Sequence, residues 1–127
     1  RALLSSLKFR GYRVGVITNS IFPGHLFQPL VNELGLSGYI DAFVSSADTG
    51  VAKPDPGIYL HTLKSAGCEA QETLFVGDRV ETDIAGALAA GLRAVLIRRG
   101  ERPRDASGYL VIEHLSALNE LLGENPI

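Results

Sequence analysis

The chain has 127 residues, enough for one compact domain and too few for two. Its formal net charge of −2 predicts no broad basic surface, so a nucleic-acid partner is not expected. No apolar run approaches the roughly 20 residues of a membrane-spanning helix, so no membrane partner is expected. The single cysteine, Cys68, cannot form an internal disulfide, which favours a reducing, cytoplasmic location.

The first residues already have the spacing of a helix, and the chain contains no methionine. Leu3, Leu4 and Leu7 recur at helical intervals, and Gly11 ends the pattern. We therefore expect that Arg1 is not the first residue translated, and that residues 1–127 belong to a longer protein.

Short β-rich runs alternate with helical patterns along the rest of the chain. The predicted strands cover 13–17, 42–46, 73–76, 93–97 and 109–112, and the predicted helices cover 29–34, 58–66, 82–90 and 115–122. A polar loop is expected over 98–107. Several of the strands are nearly continuous apolar runs, as in parallel sheets that are covered on both faces. The alternation predicts a single α/β domain with a doubly wound parallel sheet.

Polar side chains follow the predicted strands where they end. Thr18 and Asn19 follow one strand, Lys53 lies in the loop after a second, and Asp78 follows a third. In an open α/β sheet, ligands bind outside the carboxyl ends of the strands. Each feature also has an ordinary structural reading, because Thr-Asn is often a turn, a loop lysine is usually solvated, and Gly-Asp often begins a helix.

Asp78 and Asp83 stand at positions i and i+5, directly after an apolar strand. Two carboxylates that converge at a strand end can hold Mg²⁺, which prefers oxygen ligands and retains several waters. Asp83 would either bind the ion directly or orient its waters. A phosphate oxygen would accept a hydrogen bond from the Thr18 hydroxyl, and Lys53 would neutralise the charge that develops on the phosphoryl group.

Taken in order, these motifs resemble the haloacid dehalogenase (HAD) superfamily. Residues 16–20 are similar to its second motif, a strand that ends in Thr or Ser and binds the phosphoryl group. Lys53 is similar to its third motif. Gly77 and Asp78, with Asp83, are similar to its acidic Mg²⁺ motif. The resemblance covers essentially the whole chain and implies a Rossmann-like, HAD-type core.

The family's first motif, Asp-x-Asp at the end of the first strand, follows no strand here. In the family it supplies the nucleophile and the general acid and base. The resemblance implies that this strand, and a cap domain, lie upstream of Arg1. Residues 1–127 would then be the C-terminal part of one HAD-like core that lacks its central first strand. Because unpaired edges recruit other chains or unfold, we expect the chain not to fold alone.

The resemblance implies a Mg²⁺-dependent phosphohydrolase that acts on a small phosphomonoester through an aspartyl-phosphate. Lys53 and Thr18 would be catalytic, Thr18, Asn19 and Lys53 would bind substrate, and Asp78 and Asp83 would hold the metal. The implied partners are the phosphorylated substrate and the missing N-terminal segment, and the chain alone would be inactive.

Other functions remain open at this point. A haloacid dehalogenase or a phosphomutase of the same family is one alternative. A truncated, non-catalytic homologue that binds a phosphorylated ligand or a partner is another, although the retained polar set argues against it. An unrelated α/β binding domain is the third.

Overall fold

A computed structural model describes residues 2–100, 103 and 107–123, in which short strands alternate with helices. The strands are β1 (Gly15–Thr18), β2 (Ala42–Ser45), β3 (Leu74–Gly77), β4 (Arg93–Ile97) and β5 (Leu110–Ile112). The α-helices are α1 (Ala2–Phe9), α2 (Gln28–Glu33), α3 (Ser46–Thr49), α4 (Pro56–Ala66), α5 (Ala85–Ala89) and α6 (Ala117–Leu122). Short 3₁₀-helices cover Gly24–Phe27 and Ala70–Glu72, and a π-helix covers Val80–Ile84.

All strand pairs in this part of the chain are parallel, but they form two separate sheets. β1 pairs with β2, so that Thr18 lies opposite Ser45. The second sheet has the order β3-β4-β5. The second edge of β1 and the second edge of β3 have no strand partner among residues 2–100, 103 and 107–123. The predicted parallel α/β fold is confirmed, in a form consistent with an incomplete Rossmann-like core.

Helices pack against both faces of the β3-β4-β5 sheet, and the alternating side chains of β4 contact both sets of helices. In β4, Ala94 and Leu96 join a core with Val44 of β2 and with α4 and α5. Val95 points to the opposite face and packs with Ile112 and with Leu118 of α6. Since α4 contacts β2, β1 and α5, it joins the two sheets on one face. No helix in the described ranges is long and apolar enough to cross a membrane.

The bounds of several elements differ from the sequence prediction, and two of the differences have a local structural cause. The strand expected over 42–46 ends at Ser45, because Ser45 and Asp48 form a capping box that starts α3. The helix expected over 82–90 begins earlier, with a π-turn, and reaches regular α geometry only at Ala85. Half of the predicted loop over 98–107, at positions 101–102 and 104–106, lies outside the described residues.

Candidate active site

The side chains of Lys53 and Asp83 form an ion pair at the carboxyl ends of the strands. Lys53 Nζ lies 2.7 Å from Asp83 Oδ1. The two side chains are only 15% and 6% exposed, so water screens the pair weakly. Lys53 follows the first sheet along the chain and Asp83 follows β3 of the second, so this contact connects the polar ends of the two sheets.

The second carboxylate oxygen of Asp83 accepts hydrogen bonds from the main chain. The N–H groups of Asp78 and Arg79 donate to Oδ2 at 3.1 and 3.2 Å. Burial alone would raise the pKa of Asp83, but the hydrogen bond and charge of Lys53, with these two N–H groups, outweigh burial and lower it. Asp83 is therefore a buried, ionised anchor that orients the Lys53 ammonium and the turn after β3.

Tyr59 holds this turn through hydrogen bonds from its hydroxyl, a role that the sequence analysis did not identify. Its buried hydroxyl donates to the carbonyl oxygens of Thr82 and Asp83, at 3.0 and 3.2 Å. Burial, and to a lesser extent the charge of Asp83, raise the pKa of Tyr59 well above its ordinary value. A Cβ on Gly86 would lie 2.5 Å from Cε2 of Tyr59, so only glycine fits there. A tyrosine on the apolar face of α4 was the available signal, because a buried hydroxyl needs a partner.

Phe75 of β3 completes the support of the ion pair. Its ring packs edge-on against Tyr59, with centroids 5.0 Å apart and an interplanar angle of 75°. Lys53 Nζ lies 5.8 Å from the Phe75 centroid, within the range of a cation–π contact. The ammonium is thus positioned by a carboxylate and an aromatic ring together.

Asn19 contacts the main chain of Lys53. The Lys53 N–H donates to Asn19 Oδ1 at 2.9 Å, and Asn19 Nδ2 donates to the Lys53 carbonyl oxygen at 3.1 Å. These two bonds tie the end of β1 to the loop that carries the ammonium. The contact between Asn19 and substrate expected from the sequence stays a prediction.

Thr18 and Asp78 present polar groups that no other described residue engages. The half-buried Thr18 hydroxyl forms no hydrogen bond, and the exposed Asp78 carboxylate forms no ion pair, within the described part of the chain. Both residues stand at strand ends, Thr18 as the last residue of β1 and Asp78 directly after β3. A hydroxyl donor and a carboxylate are therefore available to a ligand at this end of the fold.

The loop after Asn19 is attached to the end of β2 by a second polar cluster that the sequence analysis missed. The buried Ser45 hydroxyl donates to the Phe22 carbonyl oxygen at 2.6 Å. The Gly24 N–H donates to Asp48 Oδ2 at 2.9 Å. The Ser-x-x-Asp spacing of the capping box was the signal in the sequence.

The family model of the haloacid dehalogenase-like hydrolases matches residues 1–91. The chain belongs to this family. A glyceraldehyde 3-phosphate phosphatase from Methanothermobacter thermautotrophicus is 32% identical over an alignment 126 residues long, which covers 94% of this chain and 55% of that protein. The chain spans about half the length of the curated relatives it matches.

Two solved structures of this family are similar to the chain. The HAD phosphatase from Thermococcus onnurineus has a TM-score of 0.85 and 33% identity, covering 99% of this chain and 57% of that one. The 2-haloacid dehalogenase from Pseudomonas syringae pv. Tomato DC3000 has a TM-score of 0.81 and 33% identity, covering 96% and 50%. The predicted family membership is confirmed.

The side chains available as metal ligands in this HAD-like hydrolase limit how a metal ion could be held. No group of three or more His, Cys, Asp or Glu side chains gathers within residues 2–100, 103 and 107–123. Lys53 and two N–H groups already engage both oxygens of Asp83. Asp78 keeps a free carboxylate, and Mg²⁺ is commonly held by one or two carboxylates, with waters and substrate phosphate. The residues therefore fit an ion held by Asp78, with Asp83 in an orienting role.

Proposed function

We propose that this chain supplies the phosphate-facing and metal-facing residues of a Mg²⁺-dependent phosphomonoesterase. The observation that carries the proposal is the shielded ion pair between Lys53 and Asp83 beside the free carboxylate of Asp78. A fixed cation and a free carboxylate at one end of the strands suit a phosphoryl group and a hard metal ion.

The roles follow from the bonding capacity of each side chain. An ammonium has three N–H donors, and Asp83 takes one from Lys53, which leaves two for the equatorial oxygens of a phosphoryl group. The Thr18 hydroxyl would donate to another phosphate oxygen. Asp78 would hold Mg²⁺, which when bound neutralises phosphate charge and orients the group. Because Asp83 and Phe75 preorganise the ammonium, little reorganisation is needed as charge develops.

We further propose that the nucleophile stands on an additional strand between β1 and β3, within the same HAD-like core. Such a strand would pair with both free edges and place its last residue between Thr18 and Asp78. Its carboxylate would attack phosphorus as the bond to the leaving oxygen breaks and that oxygen takes a proton. Water would then hydrolyse the aspartyl-phosphate, releasing phosphate and restoring the carboxylate. Residues 1–127 would be the later part of this core and inactive alone, with the cap upstream.

The proposed substrate is a small phosphomonoester. The phosphatase relatives support this class, and so does the available carboxylate of Asp78. Dehalogenation is the second candidate, because the Pseudomonas dehalogenase is as similar in identity as the Thermococcus phosphatase. We place the protein in the cytoplasm, in keeping with its free cysteine.

The complete natural protein, assayed with p-nitrophenyl phosphate and separately with 2-chloropropionate, tests the proposal. We expect phosphate release that requires Mg²⁺ and no chloride release. Asp78→Asn should lower turnover by about 10²-fold, the scale of one lost electrostatic stabiliser. Glu81→Gln, at an exposed position nearby, is the matched control and should leave turnover unchanged. Chloride release without phosphate release, or unchanged Mg²⁺ dependence in Asp78→Asn, would contradict the proposal.

A further inference from the structure

The Asn19 carboxamide forms two hydrogen bonds with the main chain of Lys53, one to its N–H and one to its carbonyl oxygen. A neighbouring strand would bond to a residue in the same paired way. One bond uses the carboxamide oxygen and the other uses its nitrogen, so both ends of the planar group are fixed. These are the hydrogen bonds that the main chain of Lys53 makes with the described residues. The peptide of Lys53 is thus fixed by Asn19, although the loop around it belongs to no helix or strand.

The contacts continue from the peptide to the ammonium. The Lys53 side chain leaves this fixed peptide and ends 2.7 Å from Asp83 Oδ1, while Asp83 Oδ2 accepts from the turn after β3. The Lys53 side chain has four rotatable bonds, so a shift of its Cα would spread the positions of Nζ. The carboxamide of Asn19 therefore limits where the ammonium can lie.

We propose that Asn19 is a positioning residue that fixes the Lys53 ammonium through the Lys53 main chain, rather than a substrate ligand. The kinetic part of this inference rests on the proposed function, whereas the structural part does not. Loss of the carboxamide should release the peptide, weaken the alignment of Nζ with Asp83, and leave substrate binding little changed.

Amide hydrogen exchange at Lys53, measured by NMR on the complete protein, tests the structural part. In Asn19→Ala the Lys53 amide should exchange at least about tenfold faster, because its acceptor is gone. Asn32→Ala is the matched control: Asn32 is an exposed asparagine whose carboxamide bonds only to Gln28 in the described part of the chain. It should leave the Lys53 amide unchanged. Equal exchange at Lys53 in wild type and Asn19→Ala would overturn the proposal.

A double-mutant cycle on p-nitrophenyl phosphate hydrolysis tests the kinetic part. Asn19→Ala should lower kcat by about 10- to 100-fold, the scale of a misplaced catalytic group, and change KM by less than about twofold. In a Lys53→Ala background the same substitution should lower kcat by less than about twofold, because the group it positions is gone. Equal losses in both backgrounds, or a raised KM with kcat unchanged, would show a direct substrate contact and overturn the inference. If the wild type hydrolyses no phosphate ester, the proposed function fails, and the exchange measurement alone decides the role of Asn19.

Discussion

A Cβ atom on Gly77 would lie 2.2 Å from the Cβ of Asp83, far closer than two carbon atoms can approach. Gly77 ends β3, and the π-turn that follows returns Asp83 directly over it. The N–H of Asp83 and that of Ile84 both donate to the Arg79 carbonyl oxygen, at 2.9 and 3.2 Å, and this closes the turn. π-turns of this kind often mark functional sites. The Asp83 carboxylate can thus be buried here only because position 77 is a glycine.

Gly77→Ala should destabilise the protein by about 1–3 kcal/mol, because the added methyl group must displace the buried Asp83. The free energy of unfolding of the complete natural protein in urea, here and in the predictions below, would measure this. Gly15→Ala is the matched control, since a Cβ on this glycine of β1 would meet its nearest neighbour, Thr62 Cγ2, at an ordinary 3.5 Å. If the two variants were equally stable, the close packing of Asp83 on Gly77 would be wrong.

Tyr59→Phe should cost about 1–3 kcal/mol of unfolding free energy, because it removes the two hydrogen bonds that the buried hydroxyl donates to the carbonyl oxygens of Thr82 and Asp83. Turnover should fall as well, since the π-turn that carries Asp83 loses its support. Tyr39→Phe provides the control: the hydroxyl of Tyr39 makes no hydrogen bond within the described ranges. Urea unfolding of both variants decides the matter, and a fully stable Tyr59→Phe would contradict the assigned bond.

Acid should destabilise the wild type partly through Asp83. Because the pKa of Asp83 is lowered from its ordinary 3.8, its stabilising effect is complete above that value and is lost as the pH falls through the lower, folded-state pKa. Asp83→Asn should therefore flatten the decline in unfolding free energy below about pH 4.

Asp41 provides a second, separable contribution to this acid decline. The hydrogen bond from Lys8, followed by the N–H of Val14, lowers the pKa of Asp41. Asp41→Asn should remove the contribution of Asp41 to the acid decline in unfolding free energy. The double variant, Asp41→Asn with Asp83→Asn, should show the smallest decline. Urea unfolding of each variant at pH values from about 2 to about 6 measures how steeply the free energy of unfolding falls with pH. An acid decline in Asp83→Asn that runs parallel to the wild type would refute the assignment.

Asp48→Ala should loosen the loop after Asn19, because the Gly24 N–H loses its acceptor and α3 loses half of its capping box. We expect a stability loss of about 1 kcal/mol, typical of a lost cap. The Gly24 amide should also exchange faster. Asp55→Ala is the comparison variant, since Asp55 caps α4 by accepting from the Gly57 N–H. It should cost similar stability without changing exchange at Gly24, and identical exchange at Gly24 in both variants would disprove the attachment.

The fold and the family could be predicted from the sequence because their signals are local. Apolar runs such as 93–97 have the composition of buried parallel strands, and Pro56 is of the residue type favoured in the first turn of a helix, where α4 begins. The order of the motifs indicated the HAD family, which the family match confirms. The free edges of β1 and β3 are consistent with the missing first strand that the resemblance implied.

The internal arrangement of the site could not be predicted, because it depends on contacts between distant residues. The i, i+5 spacing of Asp78 and Asp83 left open whether Asp83 binds a metal ion or orients its waters. It did not indicate that one carboxylate would be exposed and the other buried against Lys53. The buried position depends on the hydroxyl of Tyr59, from another helix. Spacing along the chain does not specify such a partner, so the π-turn and the role of Tyr59 became visible only in the structure.

Because Gly86 packs closely against the Tyr59 ring, the side chains at these two positions compete for the same space as related sequences diverge. A lineage that gains a methyl group at 86 must first reduce the ring at 59, and would then need another donor for the carbonyl oxygens above it. Among related chains, residue size at the two positions should therefore vary inversely, with the glycine and the tyrosine kept or lost together.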